Sequence, residues 1–229
     1  MAHRSLAARA APLLIALMPF SAWAAGTATI QTGDESNTMS WLDNSTIRFD
    51  MAAAQGSYMI SREGKTYMVN PKASGGMPPV MEVGGMIQGF ADMAEGDETS
   101  VLNMRIKSVK ATGKTQTVAG IKGEVYTLTA LDKKGQSKTM EAVFTSDPLA
   151  VEMTTAYLTF SESMVGAKNM SEFKNAFPKG KQGLLRLGDD MVVQSISNKK
   201  PAASMFELPA KPTNMSEMMK GLMEQLQKQ

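Results

Sequence analysis

The 229-residue chain has no cysteine and one histidine, His3, near its start. Without thiols it can form no disulfide, no redox dithiol and no cysteine nucleophile, and it has no lipobox sulfur to acylate. A histidine confined to the first residues likewise excludes Ser-His-Asp catalysis, histidine-based zinc sites and haem ligation by histidine from the body of the protein. Long hydrophobic runs are also missing. The most apolar stretch, Ala10 to Phe20, is interrupted by Pro12 and Pro19 and falls well short of the roughly 20 residues that cross a bilayer. Arg4 and Arg9 are not adjacent, so there is no twin-arginine signal.

What stands at the start is an export leader. His3, Arg4 and Arg9 form a basic beginning, the apolar stretch follows, and Ala22-Trp23-Ala24 places small residues at the positions before a cut. Residues 1–24 are therefore expected to be a cleaved Sec-type signal peptide, with the periplasm as destination. The leader takes two of the 24 basic residues and none of the 22 acidic ones, leaving a balance of 22 against 22. Such a neutral chain carries no net field for nucleic acid or an anionic membrane. The remaining residues, 25–229, suffice for a single domain stabilised by burial.

Short runs rich in Thr, Ile, Tyr, Phe and Val, separated by turn residues, predict a β-meander over Thr38–Leu42, Thr46–Met51 and Ser57–Asn70, folded back at Glu63-Gly64. Ile47, Phe49 and Met51 alternate with Thr46, Arg48 and Asp50, the period of a half-buried strand. Val80, Val83, Ile87, Phe90 and Ala94 recur at helical spacing and predict a covering helix, with Gly84-Gly85 as a weak point in its middle. Further strands are expected at Asn103–Lys110, Lys122–Ala130, Ser137–Thr145, Gly183–Leu187, Met191–Ser197 and Ser204–Leu208. Hairpin turns are expected at Lys133-Lys134-Gly135 and Gly188-Asp189-Asp190. Pro148–Ser163 suits a helix capped by Asp147, yet Thr154, Thr155 and Thr159 suit a strand equally. Residues 214–228 predict a C-terminal amphipathic helix, opened by an Asn214/Glu217 capping box.

Ser45-Thr46-Ile47-Arg48-Phe49-Asp50, followed by Tyr58 through Pro71 with its Glu63-Gly64-Lys65 turn, resembles the early meander of the periplasmic lipoprotein carriers of the LolA and LolB type. Ala119 through Tyr126 and Phe206-Glu207-Leu208-Pro209 are similar to segments of a family of uncharacterised exported bacterial proteins sharing that fold. The resemblance implies a mainly β, α+β domain: a curved antiparallel half-barrel covered by two or three helices, whose concave apolar face receives acyl chains. Glu63 replaces the usual turn Asp, and Lys122-Gly123 stands where relatives often carry Cys.

Outside the leader 19 of the 21 methionines remain. Thioethers pack as core, line adaptable apolar surfaces, and ligate Cu(I) or absorb oxidant, and these three readings stand side by side. For the metal reading the tail offers Met215, Met218, Met219 and Met223. Ser171-Glu172-Phe173-Lys174 has the Ser-x-x-Lys spacing of penicillin-recognising enzymes but lacks their companion motifs. Asp97-Glu98 and Asp189-Asp190 read as solvated turns. The expected function is thus non-enzymatic and cofactor-free: binding of a lipid or a lipidated, apolar partner. Its candidate lining is Trp41, Met59, Met68, Ile87 and Phe90. The alternatives are a methionine-based copper or oxidant buffer and a Ser-dependent hydrolase.

Mature protein is expected to begin at Ala25 and to be released by osmotic shock. N-terminal sequencing of the exported material checks the cut, and an intact Met1 overturns it.

Overall fold

The computed structural model describes residues 25–54, 56–74, 77–83, 105–131, 135–165, 171 and 173–214. The leader, the tail beyond Asn214 and the expected helix from Gly84 onward lie outside them.

Two meanders build the domain. The first runs through β1 (Gly26–Thr32), β2 (Glu35–Trp41), β3 (Ile47–Asp50), β4 (Tyr58–Arg62), β5 (Lys65–Val69) and β6 (Val80–Glu82). The second comprises β7 (Arg105–Val118), β8 (Ile121–Leu131), β9 (Ser137–Thr145), β10 (Gly183–Leu187) and β11 (Met191–Ser197), with helix α1 (Pro148–Val165) between β9 and β10. Pairing of β1 with β11 joins them into one open twelve-stranded sheet, ordered β12-β6-β5-β4-β3-β2-β1-β11-β10-β9-β8-β7. Its last strand, β12 (Thr213–Asn214), adds the sheet's parallel pair, beside β6.

The segment at 148–165 resolves as a helix for local reasons. The Asp147 carboxylate accepts the Ala150 amide at 3.1 Å, and Pro148 takes the first helical position, where its missing N–H costs nothing. The threonines do not break the helix because Thr154 and Thr155 donate their hydroxyls back to the carbonyls of Ala150 and Val151. Buried Ala150, Met153, Thr154, Ala156, Leu158, Phe160 and Ser161 cover about 200° of the helix at 3.6 residues per turn. Glu152, Thr155, Thr159 and Glu162 take the remaining arc.

Burial around so wide an arc requires the sheet to bend round the helix. The Leu184 amide in β10 donates to Thr154 Oγ1 at 2.8 Å, and Thr66 in β5 donates to Ser163 Oγ at 2.7 Å. Along the helix those two anchors are about 13.5 Å apart. Six strand spacings separate β10 from β5, about 29 Å across a flat sheet. At the other end, Arg186 of β10 reaches over β9 and β8 to give Gln116 of β7 a 3.1 Å hydrogen bond. Gly123 permits this curl: a Cβ there would lie 2.5 Å from Val143 Cγ1 and 2.9 Å from the Phe144 carbonyl oxygen.

Three expectations are corrected. Val80 does not open a helix: Val80 and Met81 pair with Val69 and Met68 in β6, because sheet pairing outweighs an apolar spacing that a strand also fits. Ser204–Leu208 is not a strand. Ala203–Phe206 forms a 3₁₀ turn, with i→i+3 bonds from Met205 to Ala202 and from Glu207 to Ser204, and buries Phe206. The meander also begins earlier than Thr38, with β1 immediately after the expected cleavage site.

Gly123→Val is expected to destabilise the protein by about 1–3 kcal/mol through overpacking against Val143 and the Phe144 carbonyl. Urea denaturation checks this, and an unchanged midpoint contradicts the close approach at Gly123.

Candidate functional site

Directly paired residues of an antiparallel ladder project to the same face. Following the register from strand to strand gives one row: Ala28 beside Met39, Met39 beside Phe49, Phe49 beside Met59, Met59 beside Met68, and Met68 beside Met81. This inner row crosses six strands without a charged residue. A second row on that face, Trp41, Ile47, Ser61 and Thr66, runs parallel to it. Helix α1 lies on the face, with the Phe160 ring stacked on Phe49 at 5.3 Å between centroids.

The candidate lining is thereby partly assembled. Met59 and Met68 are direct cross-strand partners, and Trp41 shares their face and their buried cluster. Trp41 is fully enclosed and Met59 is 9 % exposed; Met68 keeps partial exposure at the rim of the cluster. Ile87 and Phe90 lie outside the described residues, as do Met215, Met218, Met219 and Met223. Met39, Phe49, Met81 and Phe160 belong to the same apolar surface and were not singled out from sequence. The symmetry of the hairpin about Glu63-Gly64 would have placed Met59 opposite Met68; extending the row to Met39 and Met81 needed the register of the flanking strands.

The opposite face of the first meander is a holding surface. Arg48 makes a bidentate pair with Asp50, at 2.6 Å for Nη2, lies 3.6 Å above the Tyr58 ring, and donates through Nη1 to the Met205 carbonyl at 3.1 Å. The Asp50 carboxylate holds the guanidinium more firmly charged than usual, against the opposing effect of its burial. Ile60, Tyr67, Val69 and Val80 form a small separate core there, covered by Leu208 and Ala210.

Elsewhere the polar clusters are mutually satisfied. Lys181 lies 2.9 Å from Glu124 Oε1 and the Tyr126 hydroxyl donates to Oε2 at 3.0 Å. Both hold the Glu124 carboxyl below the usual carboxylate range, Lys181 foremost, while burial and the adjacent Glu124 push the Tyr126 phenol up. Glu124 is thus held charged and Tyr126 held uncharged, with both pKa values moved further from neutral pH, opposite to what a general acid or base needs. Ser171 is exposed, and Lys174 pairs with Glu162 at 3.5 Å. Asp189-Asp190 forms the β10–β11 turn, with Asp190 3.3 Å from Lys138. Among the described residues no three His, Cys, Asp or Glu side chains group as metal ligands, and no helix is long and apolar enough to cross a membrane.

Comparison with protein-family models, with curated proteins and with solved structures gives no match. The site therefore has to be read from its own chemistry.

Phe49→Ala removes the Phe160 stack from the centre of the inner row and is expected to cost about 3 kcal/mol. Phe49→Leu should cost less than half of that. Chemical denaturation of the two variants checks the order, and equal losses would show that the ring contact does not hold the helix.

Proposed function

We propose that this chain is an exported, non-enzymatic binding module of the periplasm, a half-barrel of the lipoprotein-carrier type that takes an apolar chain such as a lipid acyl group. The observation that carries this reading is the uncharged inner row from Ala28 to Met81, in which four of six positions are methionine. Unbranched thioethers repack at little cost, so a surface built from them accommodates guests of varied shape where Val and Ile would not. The partly exposed Met68, next to last in the row, marks the side at which a guest enters, beyond the Phe49–Phe160 stack. Enclosing about 200 Å² of acyl surface there contributes about 5 kcal/mol without any charged anchor.

A second reading rests on the same row. Met59, Met68 and Met81 stand side by side on three neighbouring strands. Soft thioethers at that spacing suit Cu(I), in addition to whatever the tail methionines contribute. The Ser171 hydrolase reading has no comparable support.

Trp41 is the one tryptophan outside the leader and lies on the binding face. Its emission should change saturably on titration with fatty acid or phospholipid, and Met68→Asp should weaken that response while the protein stays folded. Ag(I), as a stable stand-in for Cu(I), is titrated in parallel. Saturation by Ag(I) alone favours the metal reading, and no saturable response to any lipid, with none co-purifying in native mass spectrometry, overturns the apolar-ligand reading.

A further inference from the structure

The described sheet ends at β7, a strand that gathers several cations along one edge. β7 pairs with β8 on one side, and among the described residues no strand pairs with its other side. Over its 14 residues it carries Arg105, Lys107, Lys110 and Lys114, all exposed, and no Asp or Glu. Arg48, Arg62, Lys65, Lys138, Lys174 and Lys181 each meet a carboxylate within the fold. Among the described residues the four β7 cations have no such partner; other cations such as Lys122, Arg186 and Lys199 also lack one, but β7 alone of the described strands carries four.

Beside the same edge lies a depression of about 380 Å³, lined by Ile106, Lys107, Val109, Ala176, Phe177 and Pro178 among others. A backbone edge unpaired among the described residues, a line of cations without carboxylate partners and an adjacent groove with Phe177 and Pro178 in its wall thus run together along one strand. We propose that the β7 edge docks an extended, acidic segment of a partner protein, which adds to the sheet as a further strand. Backbone amides and carbonyls of β7 supply the pairing, the lysines meet the partner's carboxylates, and the groove takes one of its apolar side chains.

Edge lysines also keep sheets from joining edge to edge. Here that effect narrows the occupant: a second copy would oppose the four cations with four more, whereas an acidic strand neutralises them. The paired stretch from Ser108 to Ala111 is regular and offers the landing site, because irregularities at Ile106/Ser108 and Ala111/Thr115 bend the strand on either side of it. The proposal is independent of what the inner face binds.

The test uses mature protein and fluorescence anisotropy with three labelled peptides. One alternates Glu with Val, the second has the same length and charge with proline replacing alternate valines, and the third alternates Lys with Val. The Glu–Val peptide should bind saturably, the proline peptide at least about tenfold more weakly for want of backbone donors, and the Lys–Val peptide not at all. Lys107→Glu/Lys110→Glu should weaken Glu–Val binding at least about tenfold with the melting temperature unchanged. Should that variant fail to fold, Lys110→Gln/Lys114→Gln gives the same comparison with no added acid. No binding of the Glu–Val peptide overturns the proposal, as does equal binding by the charge-altered protein. Equal binding of the proline peptide means charge attraction alone and overturns strand addition.

Discussion

The laying of α1 across the inner face is the constraint on which the remaining structure depends. Thr154 fixes the helix near its middle to Leu184 and Ser163 fixes its C-terminal end to Thr66, so a single helix ties the second meander to the first. Because these anchors are closer along the helix than their strands are along a flat sheet, the sheet has to curve. Curvature in turn makes one face concave, brings the methionine row under cover, and leaves one main buried cluster shared by both meanders. The Phe49–Phe160 stack sits where the helix meets the row, and it divides the sealed part of the face around Trp41 from the rim around Met68.

Charged groups serve mainly to hold irregular segments onto this frame. Arg48 draws the Ala203–Phe206 turn against the outer face, and Lys181 ties the segment before β10 to Glu124 of β8. The partly covered Arg48 guanidinium is matched by Asp50 and the Met205 carbonyl, as its burial requires, whereas the Lys181–Glu124 pair lies open to water. On β7, by contrast, four exposed cations share one strand that carries no Asp or Glu.

Much of the sheet was legible from sequence because its strands alternate cleanly. The runs expected at 137–145, 183–187 and 191–197 match β9, β10 and β11 in their bounds, and the turn at Gly188-Asp189-Asp190 lies where expected. Elements without that signal were harder to see. Residues 112–117 of β7 are all polar or glycine, since an edge strand need bury little, and their strand character comes from pairing with β8. Val80–Glu82 is too short for period two and three-and-a-half to be told apart. At 148–165 the choice between helix and strand depended on back-bonded threonine hydroxyls, which composition does not reveal. Of the candidate lining, Trp41, Met59 and Met68 were legible as members of one face. Their enclosure by α1, instead of by a helix from Val80, depends on contacts between residues some hundred positions apart, such as Thr66 and Ser163.

The pairing of β1 with β11 has a consequence for how the chain reaches this state. β1 lies in the middle of the sheet, yet its partner on one side is Met191–Ser197: Thr27 sits opposite Ser197. During synthesis from the N-terminus the first strand must wait for nearly the last one, and no shorter emerging chain can close the sheet. Local hairpins form early, but the step that joins the meanders carries a long loop-closure entropy and comes late. Until then the apolar sides of both meanders remain open to other chains, so this topology favours slow, all-at-once completion and leaves the nascent protein dependent on being kept apart from its neighbours.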